Sequence, residues 1–280
     1  MASQLGKLSD LIKRIASRDN ASYKSLAKLA SSSRARRENR AALLDGPHLV
    51  EAFRASGDTA DTVVASESGY AREEVRRLFD STPAHARVLL TDRLFDNLAQ
   101  VVTPTGILAV VRTPGTRPLP EELDTCLLLE AIQDPGNLGA ILRTAVAAGV
   151  RQVFLGGGSV FAWSPKVLRA GQGAHFFVSI HEDAPLAVLA GRSAGTAVAT
   201  DPRAERTLFD LDLTGPIAWI FGSEGAGVSA DLAASASARV RIPMPGPSES
   251  LNVAAAVAVC LFEQVRQRSG RHPLVPAPGS

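Results

Sequence analysis

The sequence predicts an α/β protein of two domains, the second built on a mostly parallel sheet. Three observations carry this. From residue 126 onward, short apolar runs alternate with helical segments. A length of 280 residues exceeds one domain of about 100–200 residues. Proline and glycine concentrate between residues 113 and 120, where neither strand nor helix continues. With 45% hydrophobic and 21% charged residues, the chain has the composition of a folded globular protein, which excludes disordered, collagen-like and coiled-coil classes.

The elements follow in order. Residues 5–15 and 26–30 place Leu5, Leu8, Leu11, Ile12 and Ile15, then Leu26, Leu29 and Ala30, at helical spacing, so residues 1–40 read as short basic helices broken at Asp19-Asn20. Strands over 62–65 and 87–90 and helices over 48–55, 73–79 and 92–98 make a compact α/β domain over 41–112. A linker over 113–123 leads to the second domain, 124–268. There, strands are expected over 126–131, 152–155, 176–180, 197–200, 217–221 and 239–242. Helices are expected over 138–148, 165–170, 185–192 and 231–236, with a long one over 251–268. Residues 269–280, with no periodicity, read as a mobile tail.

Charge is uneven. Residues 1–40 hold ten Lys or Arg against three acids, a local +7 in a chain of net +2, and so the remainder is acidic. Such a basic end suits a nucleic-acid-binding arm as well as a solvated helical face. Cys126 and Cys260 lie in apolar stretches without metal-ligand spacing, against a disulfide framework or a cysteine zinc site and in favour of a reducing compartment. No apolar run approaches the roughly 18 residues of a membrane span, and Lys7, Asp10, Lys13 and Arg14 interrupt any signal-peptide core, so a cytoplasmic location without membrane or metal is expected.

Three segments carry chemistry. In the first, a strand runs through Asp134-Pro135-Gly136 into a helix with Asn137 at or near its cap; Leu138, Ile141, Leu142 and Ala145 form its buried face. Arg143 lies off that face between small neighbours, Gly139 and Ala147, open to a phosphate or carboxylate or simply to solvent. In the second, strand 217–221 empties into Gly222-Ser223-Glu224-Gly225-Ala226-Gly227, which sets an acid between glycines at a strand's carboxyl end. A dinucleotide fingerprint is a poor match here, since no acid follows about 20 residues later at a second strand end. In the third, Pro243, Pro245 and Pro247 stiffen a loop into a helix capped near Ser248 or Ser250, whose residues 253–262 carry no polar side chain. A helix apolar all round requires cover on every side, from the sheet, the rest of the chain or a second subunit.

Taken in order, Asn137-Leu138-Gly139-Ala140-Ile141-Leu142-Arg143, Phe221-Gly222-Ser223-Glu224-Gly225 and Ile242-Pro243-Met244 with Ser250-Leu251-Asn252-Val253 resemble the three motifs of the SpoU/TrmH family, the SPOUT-class RNA 2′-O-ribose methyltransferases. Residues 40–53 also resemble the opening strand and helix of that family's substrate-binding domain, akin to a small ribosomal protein. The resemblance implies a SPOUT domain with a deep trefoil knot, a rare exception to unknotted topology. It implies a homodimer joined partly through the long apolar helix, with S-adenosylmethionine held around Thr200, Gly222, Ile242, Met244 and Leu251. The implied reaction transfers the sulfonium methyl to a ribose 2′-hydroxyl of RNA, ribosomal more than transfer RNA. Arg143 is the implied catalytic residue, as general base or as phosphate clamp, with Asn137, Glu224, Ser250 and Asn252 positioning the reactants. A tRNA methyltransferase and a noncatalytic RNA-binding or ribosome-assembly protein of the same fold are the alternatives.

Overall fold

The computed structural model describes residues 12–101, 103–115, 118–247 and 250–270, and the chain divides into two compact units. The expected elements before residue 12 and the expected tail from 271 lie outside the described residues.

The first unit carries a five-stranded sheet ordered β1-β4-β3-β5-β2. Its strands are β1 (Ile12–Ile15), β2 (Ala41–Asp45), β3 (Ala60–Ser66), β4 (Ala84–Leu90) and β5 (Ile107–Arg112). Strands β1, β3 and β4 pair in parallel, whereas β5 runs antiparallel to both β3 and β2. Its helices are α1 (Ala21–Ser31), α2 (Ser33–Glu38), α3 (Pro47–Ala55), α4 (Glu67–Ala71), α5 (Glu73–Ser81) and α6 (Asp92–Asp96). Tyr23, Leu26 and Ala30 of α1 and Phe95 of α6 pack with Leu43, Val64, Val88 and Leu108 in one apolar cluster.

Two expectations for the first 40 residues are corrected. The helical run expected to reach Ile15 ends instead in β1, which pairs Ile12 with Arg87 and Ile15 with Leu90. In so short a segment, a parallel partner with an apolar face overrides the helical pattern. Arg36, counted among the basic side chains, is buried, and its Nη1 donates to Leu29 O at 2.7 Å and Ala30 O at 3.1 Å, closing the carboxyl end of α1.

Residues Trp163–Phe176, which the linear division assigns to the second domain, cluster with the first unit. They form α8 (Pro165–Gly171) and a 3-10 turn, Ala174–Phe176. Arg169 of α8 donates to Gln100 O at 3.1 Å, and Phe176 meets Phe53 edge-on, with ring centroids 5.3 Å apart.

The second unit is a six-stranded sheet ordered β11-β9-β10-β6-β7-β8, every neighbouring pair parallel. The strands are β6 (Cys126–Leu129), β7 (Gln152–Leu155), β8 (Ser179–His181), β9 (Thr196–Thr200), β10 (Ile217–Phe221) and β11 (Ala238–Val240). Strand β8 begins three residues later than expected, because the 3-10 turn takes up Phe176. The helices are α7 (Pro135–Ala147), α9 (Leu186–Ala190), α10 (Ala230–Ala234) and α11 (Val253–Ser269). Central strands β6 and β10 are buried at every residue, the continuous apolar pattern of a parallel sheet covered on both faces. Leu186, Leu189 and Leu232 of α9 and α10 cover the face of Cys126, Leu128, Ala218 and Ile220. The other face meets α11, where Trp219 Nε1 donates to Gln264 Oε1 at 2.9 Å, both side chains buried.

This order matters for function. Strands β7 and β8 extend from one side of β6, while β10 and β9 lie on the other, so the chain order reverses between β6 and β10. Crevices outside the carboxyl ends of strands at such a reversal are where open α/β sheets bind ligands.

Candidate active site

Strand β6 leads through residues 130–134 into α7. Asp134 is the cap, its Oδ1 accepting from Asn137 N at 2.8 Å, and Pro135 starts the helix. The cap expected at Asn137 is thus supplied three residues earlier, which leaves the Asn137 amide for other partners. Leu138, Ile141, Leu142 and Ala145 are fully buried, as the helical spacing predicted.

Strand β10 leads into the loop 222–228, and here glycine is required by space. A Cβ on Gly222 would lie 1.9 Å from the carbonyl carbon and oxygen of Gly227, which itself adopts φ +68°. Gly227 N donates to Ser223 O at 2.9 Å and Ala226 N to Ser223 Oγ at 3.2 Å, so the loop folds tightly on itself with Glu224 at its exposed tip.

The third segment enters α11. Its cap is Asn252 rather than Ser248 or Ser250: Asn252 Oδ1 accepts from Ala254 N at 2.9 Å and Ala255 N at 3.3 Å. Ser248 lies outside the described residues, and Ser250 is exposed two positions before the cap.

These three segments meet in one relay. Asn252 Nδ2 donates to Asn137 Oδ1 at 2.8 Å, and Asn137 Nδ2 donates to Glu224 Oε1 at 2.6 Å. The second amide therefore uses both ends, accepting from one motif and donating to another, and the relay stands at the reversal between β6 and β10. The Arg143 side chain is exposed on α7 and makes no hydrogen bond or ion pair among the described residues. It lies six residues beyond Asn137, about 9 Å further along the helix axis, so the relay does not include it.

Four of the residues expected around the cofactor lie at or after carboxyl ends of strands, and the fifth, Leu251, lies just before α11. Thr200 ends β9, Gly222 follows β10, and Ile242 and Met244 follow β11 in a segment outside any strand. Ile242 and Met244 are half-buried, while Leu251 is 41% exposed. Pro243 and Pro245 keep this segment out of the sheet. The chain beyond β11 is held by residues 201–208: Leu208 N donates to Arg241 O at 2.8 Å, and Arg241 N donates to Arg206 O at 3.0 Å. Half-buried apolar side chains on backbone outside the ladder could line an apolar part of a ligand pocket.

One residue escaped the sequence reading. Glu130, the first polar residue after the apolar run of β6, accepts from Ser229 N and from Ser229 Oγ, both at 2.7 Å. Its position directly after an apolar strand was the available signal. Both cysteines are buried, and burial pushes the Cys126 thiol up to about 12. They are apolar packing, not nucleophiles. Among the described residues, no group of three or more His, Cys, Asp or Glu is placed to hold a metal, and no helix is long and apolar enough to cross a membrane.

An all-parallel sheet with its polar relay at a strand-order reversal defines an open α/β fold with a candidate ligand crevice at its loop ends. Residues 124–262 match the model of the SpoU rRNA Methylase family. Over 227 residues the chain is 33% identical to the 23S rRNA (guanosine(2553)-2′-O)-methyltransferase RlmP of Bacillus subtilis, spanning 79% of this chain and 86% of that protein. A solved RNA 2′-O ribose methyltransferase superposes with a TM-score of 0.74 at 31% identity, over 91% of this chain and 99% of that one. AviRb of Streptomyces viridochromogenes, a SpoU methyltransferase solved with AdoMet, does so with a TM-score of 0.79 at 26% identity, over 89% and 98%. The chain belongs to the SpoU/TrmH family and is an RNA 2′-O-methyltransferase.

Proposed function

We propose that the chain methylates a ribose 2′-hydroxyl of ribosomal RNA from S-adenosylmethionine at the relay of Asn252, Asn137 and Glu224. The observation that carries this reading is the relay itself, which joins three segments that a purely structural role would not need to join through exposed polar side chains. The named relative that methylates a guanosine of 23S rRNA supports ribosomal over transfer RNA.

Thr200, Gly222, Ile242, Met244 and Leu251 would hold the cofactor, which supplies a methyl already activated by a positive sulfur. The protein's own task is then alignment of an in-line attack. Asn137 and Glu224 fix each other's orientation, and with Asn252 and Ser250 they position the ribose. The exposed Arg143 guanidinium, a planar fork of donors, fits a clamp on a neighbouring phosphate that stabilises charge developing on the hydroxyl oxygen. The family resemblance assigns it the general-base role instead.

The bonds that hold the chain beyond β11 against residues 201–208 support the trefoil knot. Ala255, Val259 and Phe262 line one exposed face of α11, opposite buried Val257, Cys260 and Leu261, and this unpartnered apolar stripe supports a homodimer. The exposed side chains of Lys13, Arg14, Arg18, Lys24 and Lys28 support RNA contact by the first unit in a cytoplasmic enzyme.

The test incubates the protein with labelled S-adenosylmethionine and, separately, unmodified ribosomal and transfer RNA, followed by alkaline digestion. Alkali cleaves only beside a free 2′-hydroxyl. Labelled, uncleaved dinucleotides from ribosomal RNA are expected; label in the transfer RNA pool alone would overturn the substrate assignment.

A further inference from the structure

We propose that Glu130 is a positioning residue: it closes the 222–228 loop against β6 and so sets where Glu224 holds Asn137. The proposal rests on reading Glu224 and Asn137 as part of the active site.

Glu130 grips both ends of that loop. Its backbone N–H donates to Phe221 O at 2.9 Å, where the loop leaves β10. Its two carboxylate oxygens divide between Ser229 N and Ser229 Oγ, where the loop ends and α10 begins. Ser229 Oγ also accepts from Leu232 N at 3.3 Å, so the clasp extends into the α10 cap. The bonds from Gly227 N and Ala226 N to Ser223 stay inside the loop. Those of Glu130 fasten it to the strand that leads into α7 and Asn137.

The chemistry requires a carboxylate at this distance from the backbone. Bonds to an ionised acceptor are shorter and about twice as strong as neutral ones. An amide keeps one acceptor oxygen and loses the other, whereas alanine loses both. Directly after Glu130, Ala131 adopts φ +51°, a left-handed conformation unusual for a residue with a Cβ. Such backbone persists only where surrounding bonds over-determine it, and here it turns the chain from the clasp toward the Asp134 cap.

The experiment compares Glu130→Ala, Glu130→Gln, Glu224→Ala and the double alanine variant in methyl transfer, alongside amide hydrogen exchange. Glu130→Ala should lower kcat about tenfold, the scale expected of a small misplacement, with KM for RNA and cofactor affinity changed less than about twofold. Glu130→Gln should recover part of the loss. In the Glu224→Ala background, removing Glu130 should cost little more, because its effect passes through Glu224. Amides of residues 223–229 should exchange faster in Glu130→Ala while those of β6 and β10 keep their protection. Equal loss in both backgrounds, or unchanged exchange in the loop, would overturn the clasp. A fully active Glu224→Ala would overturn the reading of the site instead, and the exchange result would still decide the clasp.

Discussion

In the first unit, polar side chains beside the strand ends join nearer segments: Ser66 Oγ accepts from Gly69 N at 2.9 Å, Asp92 accepts from Ser68 N and Oγ, 24 residues away, and Asp45 Oδ2 accepts from Gln100 N, 55 residues away. In the second unit they join segments 87 and 115 residues apart. Topology accounts for the difference. In the first sheet, the reversed β5 fills the place between β3 and β2 where the chain order turns back. In the second, all strands point the same way and nothing fills the reversal between β6 and β10, so loops from distant parts of the chain converge there. Chemistry follows from that convergence, whereas the first unit offers a stable frame with a cationic surface.

The largest effect expected from breaking this comparison lies at Gly222. Because a Cβ there would meet Gly227 backbone at 1.9 Å, Gly222→Ala must displace the loop that carries Glu224. A shift of about 1 Å in a positioned group costs on the order of 100-fold in rate, so kcat should fall by at least about that factor, measured in methyl transfer under RNA saturation. In the first unit, the matching change is electrostatic. Truncation before Arg40 would remove Ile15, Tyr23, Leu26 and Ala30 from the core, so the informative variant replaces exposed Arg14, Arg18, Lys24 and Lys28 with Gln. If each contacts a phosphate, the slope of log affinity against log salt should shrink by about 3. An unchanged slope would remove these four side chains from the RNA interface.

How much of this was legible in the sequence differs between the units in the same way. Continuous apolar runs such as Ile217–Phe221 marked the parallel strands, and the three polar motifs marked the relay before any coordinates placed them. Strand β1 was not legible, because Ile-Lys-Arg-Ile, with its apolar residues three apart, continues a helical pattern and does not alternate along a strand. Nor was the packing of Trp163–Phe176 with the first unit: the apolar face of α8 states that it needs cover but not which sheet provides it. Caps were misplaced by a few residues since Asp134, Asn137, Ser250 and Asn252 are all competent capping types, and only tertiary partners select among them.

Two smaller effects sharpen the contrast in stability. In the second unit, Gln264→Leu would leave the buried Trp219 Nε1 without its acceptor, a loss of about 1–3 kcal/mol readable as a lower denaturant midpoint. In the first unit, Asp45 is buried, with Oδ2 accepting from Gln100 N at 2.6 Å and Oδ1 unpartnered. Burial raises its pKa, opposed by the bond from Gln100 and the charge of Arg169. The folded state then holds the proton more tightly than the unfolded one, so this group lowers stability as pH rises through the carboxylate range. Asp45→Asn should flatten that decline above the ordinary aspartate range in denaturation curves, with little change at the acid end.

The most direct test of the account is single-turnover methyl transfer by Asn137→Ala, with S-adenosylmethionine affinity measured on the same sample. Asn137 is the member of the relay that touches both others, so its loss should disconnect Glu224 from Asn252. A rate reduced about 100-fold or more, with cofactor affinity within about threefold of the parent, is the predicted result. Transfer at the parental rate would contradict the claim that the three segments act as one site.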